Sequence, residues 1–302
     1  MMRYIDLGKF GENRAASYIL TIAIIFLSYV IGSFGLFIDY SLHASFDGAE
    51  ASMSDFILVL GENRVLFWLM FPFILVFISF LLALKYIHKR NVKSIFTGRT
   101  SFDWKRTLIS FFLIVAVLSV TTFFEIYYGN SYQLNFDVSK FLVLLIIAFL
   151  IIPVQTTIEE VIFRGYLMQS LKMKIGSNKH AVILSGIMFG MMHLGNPEIE
   201  AIGNHVIIYY IASGVFLGLL ALYDNGLELS IGYHAANNIF TALMISNNWQ
   251  VFQTNAVFVN TVPPEIGWIE LVISLAIFPI LFLIYKKIFK WSSLKETWNE
   301  TN

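Results

Sequence analysis

Long apolar stretches alternate with short polar ones along almost the whole chain. Eight runs are nearly free of Asp, Glu, Lys and Arg: Ala15 to Ile38, Val65 to Leu84, Thr107 to Phe124, Phe141 to Ile158, Ala181 to Pro197, Ala201 to Tyr223, Leu229 to Ser246, and Gly267 to Tyr285. Crossing the hydrocarbon layer takes about 20 mostly apolar residues. None of the runs has the two-residue alternation of a half-buried strand, so each predicts a helix. Lipid imposes the same choice, because every backbone amide there must be satisfied within its own segment. The pattern predicts an all-α, polytopic membrane bundle of about eight transmembrane helices.

Composition sharpens that picture. The 302 residues are 57% hydrophobic and 13% charged, where a soluble domain carries about 25% charged residues. Aromatics reach 16%, 29 of them Phe, and the mean hydropathy is +0.72. A net charge of zero with no basic domain gives nucleic-acid binding nothing to rest on. The absence of cysteine excludes disulfides, thiolate metal ligands and a Cys nucleophile. The first apolar run is too long for a signal core and no small-residue cleavage site follows it, so it reads as a retained span.

Orientation follows Lys and Arg in the short connections. Lys85, Lys89, Arg90, Lys93, Arg99, Lys105 and Arg106 face Asp103 alone between the second and third runs. With eight spans, that segment falls on the same side as Arg3, Lys9 and Arg14, as Lys172, Lys174 and Lys179, and as Lys286, Lys287, Lys290 and Lys295. The opposite connections are acidic or neutral: Asp47, Glu50 and Asp55; Asp137; Glu198 and Glu200; and the uncharged stretch Asn247 to Pro264. Both termini are therefore expected in the cytoplasm. Asp224 and Glu228 disobey, lying on the inner side with no basic residue of their own. The outer connection Tyr40 to Asn63 has room for a short interfacial helix. Gly186 and Gly190, and Gly214 and Gly218, are small residues four apart that predict close helix packing.

An ionisable side chain in mid-membrane costs about 2.5–3.5 kcal/mol on insertion scales. Such residues concentrate between 159 and 238. Glu159-Glu160-x-x-x-Arg164 interrupts an apolar run; on a helix Glu160 and Arg164 are neighbours and Glu159 points about 100° away. Solvated charges at a span's end would give the same letters, but the sequence stays apolar through Tyr166, Leu167 and Met168, so a span from Ile147 to Leu171 places Glu159 near mid-membrane. Phe189-x-x-x-His193 shares a helix face, as does His234-x-x-x-Asn238. Each alone suits packing or helix adhesion as well as a site. Together they are the inventory for activating a water and stabilising an oxyanion. Glu159, His193 and His234 also form a candidate zinc set, two imidazoles and a carboxylate. The His-Glu-x-x-His and Gly-x-Ser-x-Gly signatures are absent. His43, His88 and His180 fall at connections or span ends and receive no role; His205 reads as interfacial.

In this order and in apolar helices, the three motifs resemble the CAAX prenyl endopeptidase type 2 family, also called CPBP or Abi intramembrane proteases. The family includes bacteriocin-processing, bacteriocin-immunity and lysostaphin-resistance-like members. The resemblance spans roughly Lys140 to Leu243; the flanking runs match only in being apolar. It implies that Glu159 and His193 hold and activate the attacking water. His234 and Asn238 would stabilise the oxyanion, with Glu160 and Arg164 orienting and neutralising the site. Zinc is a candidate cofactor.

The expected organisation is an N-terminal transmembrane region at 1–139, a catalytic core at 140–243, and an outer loop, last span and tail at 244–302. The expected activity is endopeptidase action on a membrane-associated protein or peptide, without an acyl-enzyme, in the plasma membrane of a bacterium. Expected partners are membrane lipids and the substrate, with no nucleic acid. A non-proteolytic scaffold or bacteriocin-immunity protein, and a proton-coupled transporter, stand as alternatives.

Overall fold

The apolar runs fold as helices in a computed structural model, which describes residues 3–44, 51–129, 131–260, 262–263, 265–291 and 297–298. Asp47, Glu50, Pro264 and Lys295, which entered the orientation argument, lie outside the described residues. A short 3-10 helix, Tyr4–Lys9, precedes α1 (Ala15–His43), α2 (Met53–Leu60), α3 (Glu62–Tyr86), α4 (Lys93–Phe96) and α5 (Trp104–Tyr128). The strand β1 (Tyr132–Leu134) leads to α6 (Val138–Leu150), α7 (Ile152–Glu160), a π-helical turn (Val161–Leu167) and α8 (Met168–Ile175). Then come α9 (Asn178–Met191), α10 (Pro197–Ile202), α11 (Val206–Tyr223), α12 (Glu228–Met244), β2 (Ile245–Ser246), β3 (Phe258–Asn260) and α13 (Trp268–Phe289). The expected interfacial helix is α2, started by a capping box between Ser52 and Asp55.

Among the described residues, six helices are long and apolar enough to cross a membrane: α1, α3, α5, the run Val138–Ile175, α11 and α13. The other two expected spans are shorter. α9 has 14 residues and α12 has 17, about 21 and 26 Å at 1.5 Å per residue, against a hydrocarbon layer of about 30 Å. The run expected from Ala201 to Tyr223 is also divided, because the backbone turns at Gly203 with φ 122°. Three short strands, unforeseen among the helices, join as β1-β3-β2 at one end of the bundle.

The basic segments gather at the other end. Tyr4 N donates to Asn225 Oδ1 (2.5 Å), Arg90 Nη2 to Gln169 Oε1 (2.6 Å), and Asn178 Nδ2 to the Thr297 carbonyl (2.8 Å). The two carboxylates that broke the charge pattern find their cations here. Arg99 reaches Glu228 (3.0 Å) and Asp224 (3.1 Å), and Arg106 also pairs with Asp224. The partners come from a different connection, which a reading of local sequence misses. On α1, Asp39 is buried and takes two bonds of 2.5 Å from Arg64 and one of 2.6 Å from Trp68, fastening α1 to α3.

The glycine stripe works as its spacing implies. A Cβ on Gly190 would stand 2.8 Å from the Ile211 nitrogen, and one on Gly214 would stand 2.6 Å from the Gly186 carbonyl oxygen. Only hydrogen fits between α9 and α11, so these two backbones are pressed together.

Candidate active site

The site begins with a discontinuity in the fourth expected span. Pro153 lacks an N–H for the carbonyl four residues back, and the helix breaks at Ile151 before α7 resumes. After Glu160 the chain takes a wider turn: the Met168 amide bonds the Phe163 carbonyl, five residues back. Turns of this kind recur at functional sites because they add a residue to the helix and re-aim its side chains. The helix then continues to Ile175, so Arg164 is not its end and the carboxylates lie well inside the run.

Glu160 and Arg164 are fully buried and paired at 2.7 Å. Arg164 also donates to the Gly214 carbonyl (3.1 Å) on α11 and lies over the Phe189 ring, 4.3 Å from its centroid. The other side of Glu160 faces α12. His234 Nδ1 is 2.9 Å from Glu160 Oε1, and this carboxylate accepts the ring proton. Pinning Nδ1–H in this way fixes the plane of the imidazole and leaves Nε2 as its working atom.

That Nε2 is 3.7 Å from Oε2 of Glu159, whose side chain is 19% exposed where Glu160 has no exposure. The two adjacent carboxylates thus divide their tasks: Glu160 is sealed in a network and Glu159 can be reached. Gln155, one turn earlier, donates to Glu159 Oε1 and accepts at its own carbonyl oxygen from Asn238 Nδ2 (3.2 Å). An amide NH2 has two protons, so Asn238 keeps a second donor. Asn237 Nδ2 in turn donates to Asn238 Oδ1 (3.2 Å), setting which way that amide points.

His193 follows α9 in a turn rather than sitting within the helix. Its Nδ1 donates to the Phe189 carbonyl (2.9 Å), which again leaves Nε2 available. No hydrogen bond joins His193 to Glu159. The link is the Phe189 ring, 4.8 Å from the His193 ring and 6.0 Å from that of His234, centroid to centroid. A tyrosine from α11, Tyr210, stacks on His193 with centroids 4.2 Å apart and planes 19° from parallel. Its hydroxyl donates to Glu198, which also receives Asn196 Nδ2 (2.8 Å). Glu198 is 6% exposed. The sequence reading placed it in an acidic outer connection; the chain after α9 buries it against Tyr210.

The six expected residues therefore stand in one neighbourhood. Glu159, Glu160, Arg164, His234 and Asn238 form one bonded network, and His193 joins it through Phe189. Sequence reasoning missed Gln155, Tyr210 and Glu198. Gln155 had a signal, an amide in an apolar run one turn before Glu159. Tyr210 and Glu198 had none, since apolar helices are full of tyrosines and acidic loops are common. As a zinc cradle the set falls short. Nδ1 bonds to carboxylate or carbonyl are what metal-binding imidazoles use, but among the described residues no three His, Asp or Glu side chains form a group placed to hold an ion.

Comparison with known proteins finds similarity in this part of the chain. "Uncharacterized protein YyaK" of Bacillus subtilis (strain 168) is 27% identical over 252 residues, covering 80% of this chain and 82% of that protein. The family model for type II CAAX prenyl endopeptidase Rce1-like proteins matches residues 138–240, which hold α6 to α12 up to the motif of His234 and Asn238. The helical segment that carries the polar network is similar to the type II CAAX prenyl endopeptidase Rce1-like family.

Proposed function

We propose that this chain is an intramembrane endopeptidase that hydrolyses a peptide bond of a membrane-associated protein or peptide by direct attack of water. The observation that carries the reading is the relay Glu160–His234–Glu159. One carboxylate orients the imidazole from behind while a second, reachable carboxylate meets its free nitrogen.

In this mechanism water attacks the carbonyl carbon as Glu159 accepts its proton, with the free Nε2 of His193 as the second anchor for that water. The carbonyl oxygen gains the electron pair and is held by the remaining N–H of Asn238 and by His234. Donation from His234 Nε2 needs the doubly protonated ring, since Nδ1–H is committed to Glu160. Collapse of the intermediate breaks the C–N bond, and the proton taken by Glu159 passes to the leaving amine. No step is assigned to a metal. The basic end of the bundle would face the cytoplasm of a bacterial plasma membrane.

The test is cleavage of candidate membrane peptides by the purified protein in proteoliposomes. Glu159→Gln and His193→Ala should each lower turnover by at least about a hundredfold with membrane insertion unchanged. Retention of the biological phenotype by both variants would favour a scaffold. Proton-driven flux without cleavage would favour a transporter.

A further inference from the structure

One feature of the site is outside the family's motifs. His193 stands on a turn, not on a helix, and a turn by itself fixes an imidazole poorly. The Phe189 carbonyl holds one edge of the ring at Nδ1 (2.9 Å), but one hydrogen bond allows rotation about its own axis. The face of the ring is controlled by Tyr210, stacked at 4.2 Å. Tyr210 is in turn fixed at both ends. Its backbone neighbour Ile211 lies against Gly190, where nothing larger than hydrogen fits, and its hydroxyl is tied to Glu198.

Glu198 is built for this. It is 94% buried if its 6% exposure is taken from the whole, and among the described residues no Lys, Arg or His pairs with it. Oε1 accepts both the Tyr210 hydroxyl and Asn196 Nδ2, while Oε2 is buried without a hydrogen bond in the protein. Burying a carboxylate this way is costly.

We propose that Glu198 and Tyr210 are positioning residues that clamp His193 for catalysis. Glu198 fixes the tyrosine hydroxyl, and the stacked ring holds the imidazole plane so that Nε2 keeps one direction. The catalytic role of the clamp rests on the peptidase reading; its physical existence does not. Misplacing a reacting group by about 1 Å costs about a hundredfold in rate, which sets the size of the effect.

Two readouts separate these points in the full-length protein in detergent. The first is the NMR spectrum of histidine-labelled protein, with His193 assigned by His193→Gln. A ring stacked on an imidazole shifts its C–H protons upfield. Tyr210→Leu should abolish that shift, and Tyr210→Phe, whose ring Glu198 no longer holds, should keep only part of it. Glu198→Gln, which loosens the hold on the tyrosine hydroxyl, should also move the His193 C–H resonances. The second is kinetics: Tyr210→Leu should lower kcat by about a hundredfold with KM little changed, and Tyr210→Phe, which keeps the ring but loses the hydroxyl that Glu198 holds, should fall between Tyr210→Leu and wild type. Unchanged His193 resonances in Tyr210→Leu and Glu198→Gln overturn the clamp. Changed resonances with wild-type kcat overturn its positioning role. Absence of any cleavage by the wild-type protein overturns the peptidase reading alone, and the resonances then still decide the clamp.

Discussion

The buried pair Glu160–Arg164 makes a prediction in which stability and activity part company. Both side chains are wholly buried and meet at 2.7 Å. Arg164→Met keeps the volume but leaves Glu160 charged in an apolar setting, with the His234 Nδ1–H (2.9 Å) as its remaining donor. Removing one member of such a pair costs about 3–5 kcal/mol, roughly two to four powers of ten in the folding equilibrium. The pair is incompletely satisfied, because Glu160 Oε2 and Arg164 Nε have no hydrogen-bond partner among the described residues. Replacing both charges by apolar groups is then neutral or stabilising by about 1–4 kcal/mol. The double variant Glu160→Leu with Arg164→Met should therefore recover wild-type stability. It should not recover cleavage, since His234 loses the acceptor that holds its ring. The assay is a double-mutant cycle of equilibrium unfolding in mixed micelles, with peptide cleavage measured on the same preparations. A single-variant cost below about 1 kcal/mol, or wild-type cleavage by the double variant, would refute the reasoning.

Gln155→Met removes the amide that joins Glu159 to Asn238 and should lower kcat by roughly tenfold or more with little change in melting temperature; unchanged kcat would show that the bridge is idle. Exhaustive chelation should leave cleavage intact, because the described carboxylates and imidazoles form no three-donor group; activity lost on chelation and restored by zinc would count against that fit. At the basic end, buried His88 donates Nδ1–H to the Glu12 carbonyl (2.7 Å) and accepts at Nε2 from the Tyr166 hydroxyl (2.7 Å). Burial, reinforced by the charge of Arg90, holds its pKa below the ordinary 6.5. The folded state therefore binds fewer protons than the unfolded one. The contribution is fully present above 6.5 and is lost as pH falls below it toward the folded value. Melting temperature should drop on acidification from pH about 7.5 to about 5, with a smaller drop in His88→Gln; equal drops would dismiss His88 as the cause.

The amino-acid sequence by itself determined the solvent of this protein and the letters of its site. Apolar runs with so few charges leave lipid as the only medium that accepts them. Within those runs Glu159, Glu160, Arg164, His193, His234 and Asn238 stand out, because an ionisable or amide group in lipid needs a reason. Local spacing was enough for the Glu160–Arg164 pair, since neighbours four apart meet on any helix. Tertiary structure decided the rest. The π-turn after Glu160 and the short α9 and α12 depend on how neighbouring helices pack, and no window of letters encodes them. Asp224 and Glu228 looked unpaired until the fold brought Arg99 and Arg106 to them from another connection. Glu198 belonged to an acidic outer connection until the chain after α9 buried it against Tyr210. The physical reason is common to all of these: periodicity reports which face of one element is apolar, whereas a site is made where faces of several elements meet, and that meeting is set by long-range packing.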